Sequence, residues 1–139
     1  MSSEPYLIFE TRARGLQRRA LQGYAHALAE AVAPGRSFCA MLTGDDELQR
    51  LNREFRQQDY PTDVLSFPSE SPVDSLGDIA ISVDRARAQA AEHGHDTPTE
   101  IRILLLHGLL HLLGHDHETD HGQMRRLESK WRRTLGLPG

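Results

Sequence analysis

The stretch from Pro98 to Leu113 must be covered on almost every side. Ile103, Leu106, Leu110 and Leu113 form one apolar flank at helical spacing, and Leu105, Leu109 and Leu112 form a second. A helix apolar nearly all round belongs inside a domain. The apolar run Ile103 to Leu113 is too short to span a bilayer and contains two histidines. The start of this helix is written as a capping box. Thr97 is the expected cap, Pro98 the first helical residue and Glu100 the reciprocal acid. Gly114 is the expected stop.

The third face of that helix carries His107 and His111, with Gly108 between them. Four positions apart, they stand one above the other. Two imidazoles on a buried helix need partners, because an unsatisfied polar group costs about 1–3 kcal/mol. A metal ion satisfies both. The string continues as Gly114-His115-Asp116-His117, so the chain can turn back after the glycine. His115 follows the stop too closely to return, and His121 falls at the start of the next helix. His117 is the expected third ligand. Asp116 could be a ligand, but a carboxylate so close to imidazoles more often accepts a ring N–H and orients the ring. His26, His93 and His95 carry no spacing argument and are read as surface residues.

No cysteine lies near the histidines; Cys39 sits in an apolar run and reads as a small core residue. Closed structural zinc sites draw mostly on thiolates. Three imidazoles without an obvious fourth protein ligand suggest an open position, where an ion can activate water near neutral pH. Imidazoles also suit Ni, Cu and Fe, so one Zn2+ per chain is the expectation, with another divalent metal as the alternative. The position after His107 is Gly108 rather than glutamate, which removes the base that an H-E-x-x-H protease needs.

The 139 residues fit one domain, expected over 1–139. A net charge of -4 excludes a global basic field for nucleic acid, so any RNA must be held by a local patch. All of the basic residues but Lys130 are arginines. No signal peptide or membrane segment is apparent, and a cytoplasmic protein is expected. Strands are expected at Tyr6–Phe9, Ser37–Leu42, Val64–Phe67 and Asp78–Ser82. Helices are expected over 15–31 (inner face Leu16, Ala20, Tyr24, Leu28) and over 45–55 (inner stripe Leu48, Leu51, Phe55). Three more are expected: one from a Ser82 cap to His93, one from Pro98 to Leu113, and one from about Asp120 to Leu135 with Met124, Leu127, Trp131 and Leu135 inward. The order points to an α+β domain with a small mixed four-stranded sheet and about five helices.

The string His107–His117 resembles the H-G-x-L-H-L-x-G-x-D-H signature of the YbeY family of bacterial rRNA maturation factors. Leu51-Asn52, Phe55-Arg56, Asp59 and Pro61–Pro68 are similar to the central motif of that family, and Leu76–Ile79 to its next strand. The resemblance implies a zinc-like metal on His107, His111 and His117. It implies single-strand-specific endoribonuclease activity in maturing the 3′ end of small-subunit rRNA and in ribosome quality control. It makes Arg56 and His111 catalytic and assigns Arg56 the functional position in the cleft, where a guanidinium can grip a phosphate through two N–H bonds. Ribosomal proteins and an assembly GTPase are partners implied in the same way. His115 stands where the family often has an aromatic. Thr62, Asp63, Ser66 and Asp78 are either cleft residues or turn and anchor residues. The rival readings are a zinc hydrolase of peptides or small molecules and a noncatalytic ribosome-assembly module with a structural metal.

Overall fold

The computed structural model describes residues 5–11, 14–70, 75–115 and 122–139. The chain runs β1 (Tyr6–Phe9), α1 (Arg18–Val32), β2 (Ser37–Thr43), α2 (Asp45–Arg56), β3 (Val64–Pro68), β4 (Ser75–Ser82), α3 (Val83–His93), α4 (Thr97–Leu112) and α5 (Gln123–Thr134). The sheet order is β1-β2-β4-β3. The first three strands are parallel and β3 pairs antiparallel with β4, with Val64 opposite Ile81 and Ser66 opposite Ile79. Among the described residues this is the expected α+β architecture, with a mixed four-stranded sheet and five helices. Among the described residues no helix is long and apolar enough to cross a membrane.

Alternation along the strands divides the core. Leu7, Phe38, Ala40, Leu42, Ile79 and Ile81 face one side and join Leu21, Leu28, Leu105, Leu106 and Leu109. Leu65 and Ala80 face the other side, where Leu48 of α2 covers them. α4 is the keystone of the larger layer. Leu105, Leu106, Leu109 and Leu110 have no exposed surface. Its close approach to the sheet depends on Gly108: a Cβ there would lie 2.9 Å from Ile79 Cγ2. The Ser66 hydroxyl of β3 donates to the Gly108 carbonyl at 2.9 Å, which fixes the helix against the sheet edge.

Several local expectations are corrected. The cap of α4 is Asp96, whose side chain accepts from the Thr99 N–H at 2.9 Å; Thr97 is already helical. Asp competes well for a cap because its carboxylate reaches the orphan N–H groups. Glu100 is therefore not a capping-box acid but a buried residue. The inner face of α1 is Leu21, Ala25, Leu28 and Ala29; Ala20 is exposed and Leu16 precedes the helix. Phe55 is not on the buried stripe of α2 but 60% exposed. At the other end of α4, Gly114 adopts φ 98. Its N–H donates to the His111 carbonyl and the His115 N–H to the Leu110 carbonyl, a Schellman stop as expected of that glycine. Ser82 caps α3 by accepting from the Arg85 N–H.

Candidate functional site

A cleft of ≈ 700 Å³ opens between the end of α2, strand β3 and the exposed side of α4. Its lining includes Phe55, Arg56, Asp63, Ser66, His107 and His111. Residues from two distant sequence blocks thus meet in one depression. α2 ends at Arg56 because Gln57 turns left-handed at φ 55. The returning loop is pinned to the helix: buried Asn52 donates through Nδ2 to the Tyr60 carbonyl at 2.9 Å. Gln49 donates to Asp59 at 3.1 Å. Arg50 and Arg53 are drawn to Glu47, Glu54 and Asp59, whereas Arg56 lines the cleft.

On α4 the two imidazoles are half-buried, with ring centroids 4.6 Å apart. Their Nε2 atoms are 3.1 Å from each other. Two nitrogens bound at about 2.05 Å to one tetrahedral ion would be separated by about 3.3 Å. The pair therefore has the bite that a transition metal requires. His107 turns its other nitrogen away from the cleft, and Nδ1 lies 2.7 Å from Glu128 Oε1 of α5. His117, Asp116 and His121 lie outside the described residues.

Asp63 is occupied as a turn and anchor residue. Its Oδ1 accepts from the Val64 N–H at 2.8 Å and its Oδ2 from Gln89 Nε2 at 3.2 Å. Asp78 is exposed on the opposite face of the sheet, beside Cys39 and Met41. Cys39 is half-buried rather than fully enclosed; burial first, then the charge of Asp78, push its thiol above the ordinary range. It is a weak source of thiolate.

A second cluster stands at the start of α4. The buried Glu100 carboxylate receives His93 Nδ1 at 3.2 Å and His95 Nε2 at 2.6 Å on the same Oε1. Ligand atoms of His93, His95 and Glu100 all lie within 4.8 Å of one another, a group that could hold a metal ion. His93 is exposed as expected, but His95 is mostly covered. The reading of His95 as a surface residue is thus overturned, because a buried acid required a donor.

Glu100 and Glu128 are the residues that sequence reasoning missed. Both had a signal. Glu128 falls one turn after Met124 and three positions before Trp131, inside an otherwise apolar stripe. Glu100 shares a helical face with His107 and His111. An acid on an inner face needs a partner, and in each case the partner is histidine.

The model of the Endoribonuclease YbeY family matches residues 9–136. The chain belongs to the YbeY family. It is 59% identical over 123 residues to the endoribonuclease YbeY of Solibacter usitatus, covering 88% of this chain and 82% of that one. It is 44% identical over 132 residues to the Koribacter versatilis protein of the same description, covering 95% and 86%. The fold is similar to the solution structure of TM1509 from Thermotoga maritima, with a TM-score of 0.66 and 27% identity, covering 94% of this chain and 88% of that one. YbeY proteins are named as endoribonucleases, which are hydrolases, so membership makes this chain an enzyme of that class.

Proposed function

We propose that the chain, as one domain over 1–139, is a metal-dependent endoribonuclease that cuts single-stranded rRNA precursors during maturation of the small subunit. The observation that carries the reading is the shared cleft of Arg56, His107 and His111, with the two Nε2 atoms 3.1 Å apart. His107, His111 and His117 would hold one Zn2+ or a similar divalent ion. That ion, when bound, supplies Lewis-acid polarisation of a phosphate oxygen and a more acidic water. Arg56, from the last turn of α2, grips the scissile phosphate and offsets the charge that develops there. An exposed ring favours a single strand. Phe55, which lines the cleft with Arg56, is 60% exposed, and only an unstacked base can use an aromatic face. A ribosome-directed nuclease of this kind acts in the cytoplasm beside ribosomal proteins and assembly factors.

The test is cleavage of a defined rRNA precursor by purified, metal-loaded protein, against the same sequence held in a duplex. The single strand should be cut and the duplex spared. Arg56→Ala should lower kcat by roughly 10²–10³-fold, the scale seen when one charge-stabilising donor is removed. Its stability should stay within about 0.5 kcal/mol. Unchanged cleavage in a nuclease-free preparation of Arg56→Ala would sink the phosphate-clamp role. A 2′,3′-cyclic phosphate end would assign the attack to the RNA 2′-OH rather than to water.

One observation favours a rival. β3 is a sheet-edge strand and lines the cleft along Val64–Pro68, so an extended peptide could pair with it. Gly108 stands against this, since the helix lacks the protease base. Cleavage of a peptide library but not of RNA, lost in His111→Ala, would decide for the rival.

A further inference from the structure

His107 is held from behind. Its Nδ1 lies 2.7 Å from Oε1 of Glu128, a side chain only 15% exposed. A carboxylate accepts, so the ring proton belongs on Nδ1. The lone pair then belongs on Nε2, the atom that meets His111 Nε2. Glu128 is braced in turn. Its Oε2 lies 3.6 Å from Nη2 of Arg132, one helical turn onward. Arg132 is itself tethered, with Nη1 donating to the Pro138 carbonyl at 3.4 Å. Arg132, Glu128 and His107 therefore form a line from the chain end to the cleft.

We propose that Glu128, braced by Arg132, is a positioning residue for the metal centre: it fixes the His107 tautomer and aims Nε2 at the ion. This rests on the reading of His107 and His111 as ligands. A metal-bound imidazole commonly donates its other N–H to a carboxylate, and losing that carboxylate typically costs 10–100-fold in metal affinity. A simple tether between α5 and α4 would not need the ring nitrogen opposite the cleft. An acid anywhere along the exposed flank of α4 would serve.

The experiment compares wild type, Glu128→Ala, Glu128→Gln and His111→Ala. Zn2+ affinity is measured by competition with a chromogenic chelator, and histidine tautomers by 15N NMR of the metal-free proteins. Thermal unfolding of each variant reports on the tether. Glu128→Ala should bind Zn2+ about 10–100-fold more weakly. Its His107 should populate both tautomers, whereas wild type should show the Nδ1–H form. Glu128→Gln keeps an acceptor oxygen and should recover most of the affinity. Wild-type affinity in Glu128→Ala, or an Nε2–H tautomer in wild type, would overturn the proposal while leaving the ligand reading intact. Equal Zn2+ affinity in wild type and His111→Ala would remove the ligand reading itself, and the proposal with it.

Discussion

Two groups of imidazoles and carboxylates sit along α4, and they use the same chemistry in opposite arrangements. At the helix start the acid is central: both His93 and His95 spend a nitrogen on one oxygen of Glu100. Two turns on, about 10.5 Å along the axis, the acid is peripheral. Glu128 takes Nδ1 of His107 and leaves Nε2 to converge with His111. The first arrangement ties α3, the turn and α4 together. The second presents paired nitrogens to a cleft. The position of the carboxylate relative to the rings distinguishes the two groups, although the Glu100 group also gathers its ligand atoms within 4.8 Å of one another. The separation also excludes a shared two-metal centre, which needs ions about 3.5–4 Å apart.

The largest expected effect separates the two clusters directly. His111→Ala should reduce bound metal and RNA cleavage to background, whereas His95→Ala should keep one metal per chain, both read by elemental analysis on the purified proteins. A metal that survives in His111→Ala and disappears in His95→Ala would reverse the comparison and make the Glu100 group the metal site.

Next in size is the stability of the lock. Glu100→Ala removes the acceptor for two imidazoles and should cost about 1–3 kcal/mol in denaturant unfolding, with metal content unchanged. If stability is unaffected, the cluster is not a lock.

The smallest effect sharpens the boundary of that lock. Asp96→Ala removes the cap of α4 and should cost about 1 kcal/mol at neutral pH. Hydrogen bonds from the Thr99 side chain and backbone hold the Asp96 carboxyl below the ordinary range. A depressed folded pKa gives stability that is present above the unfolded value of about 3.9 and lost as pH falls through the folded one. The difference between wild type and Asp96→Ala should therefore shrink in acid. A difference that grows on acidification would contradict the cap.

Much of this was written in the sequence because it depended on local rules. The strands followed alternation, Gly114 and Ser82 followed end-of-helix chemistry, and the apolar flanks of α4 forced its burial. What escaped was non-local. Thr97 lost the cap to its neighbour Asp96, a contest between adjacent residues that propensity does not decide. Phe55 has the spacing of a core residue, yet it is 60% exposed and lines the cleft, edge-to-face on Phe67 with centroids 5.3 Å apart. Glu128 reaches His107 across a separation of 21 residues, which no periodicity within one helix can reveal. The third ligand expected at His117 lies outside the described residues.

The contact between Gly108 and Ile79 has a consequence for how the protein can evolve. The helix that carries His107 and His111 is also the one that seals the sheet, and its closest approach falls at the residue between them. Installing the protease-type glutamate at position 108 would drive a side chain into Ile79 before it could act as a base. The same backbone proximity that gives the fold its stability thus bars one mutational route to peptide hydrolysis, and confines innovation in this scaffold to the loops and rings around the cleft.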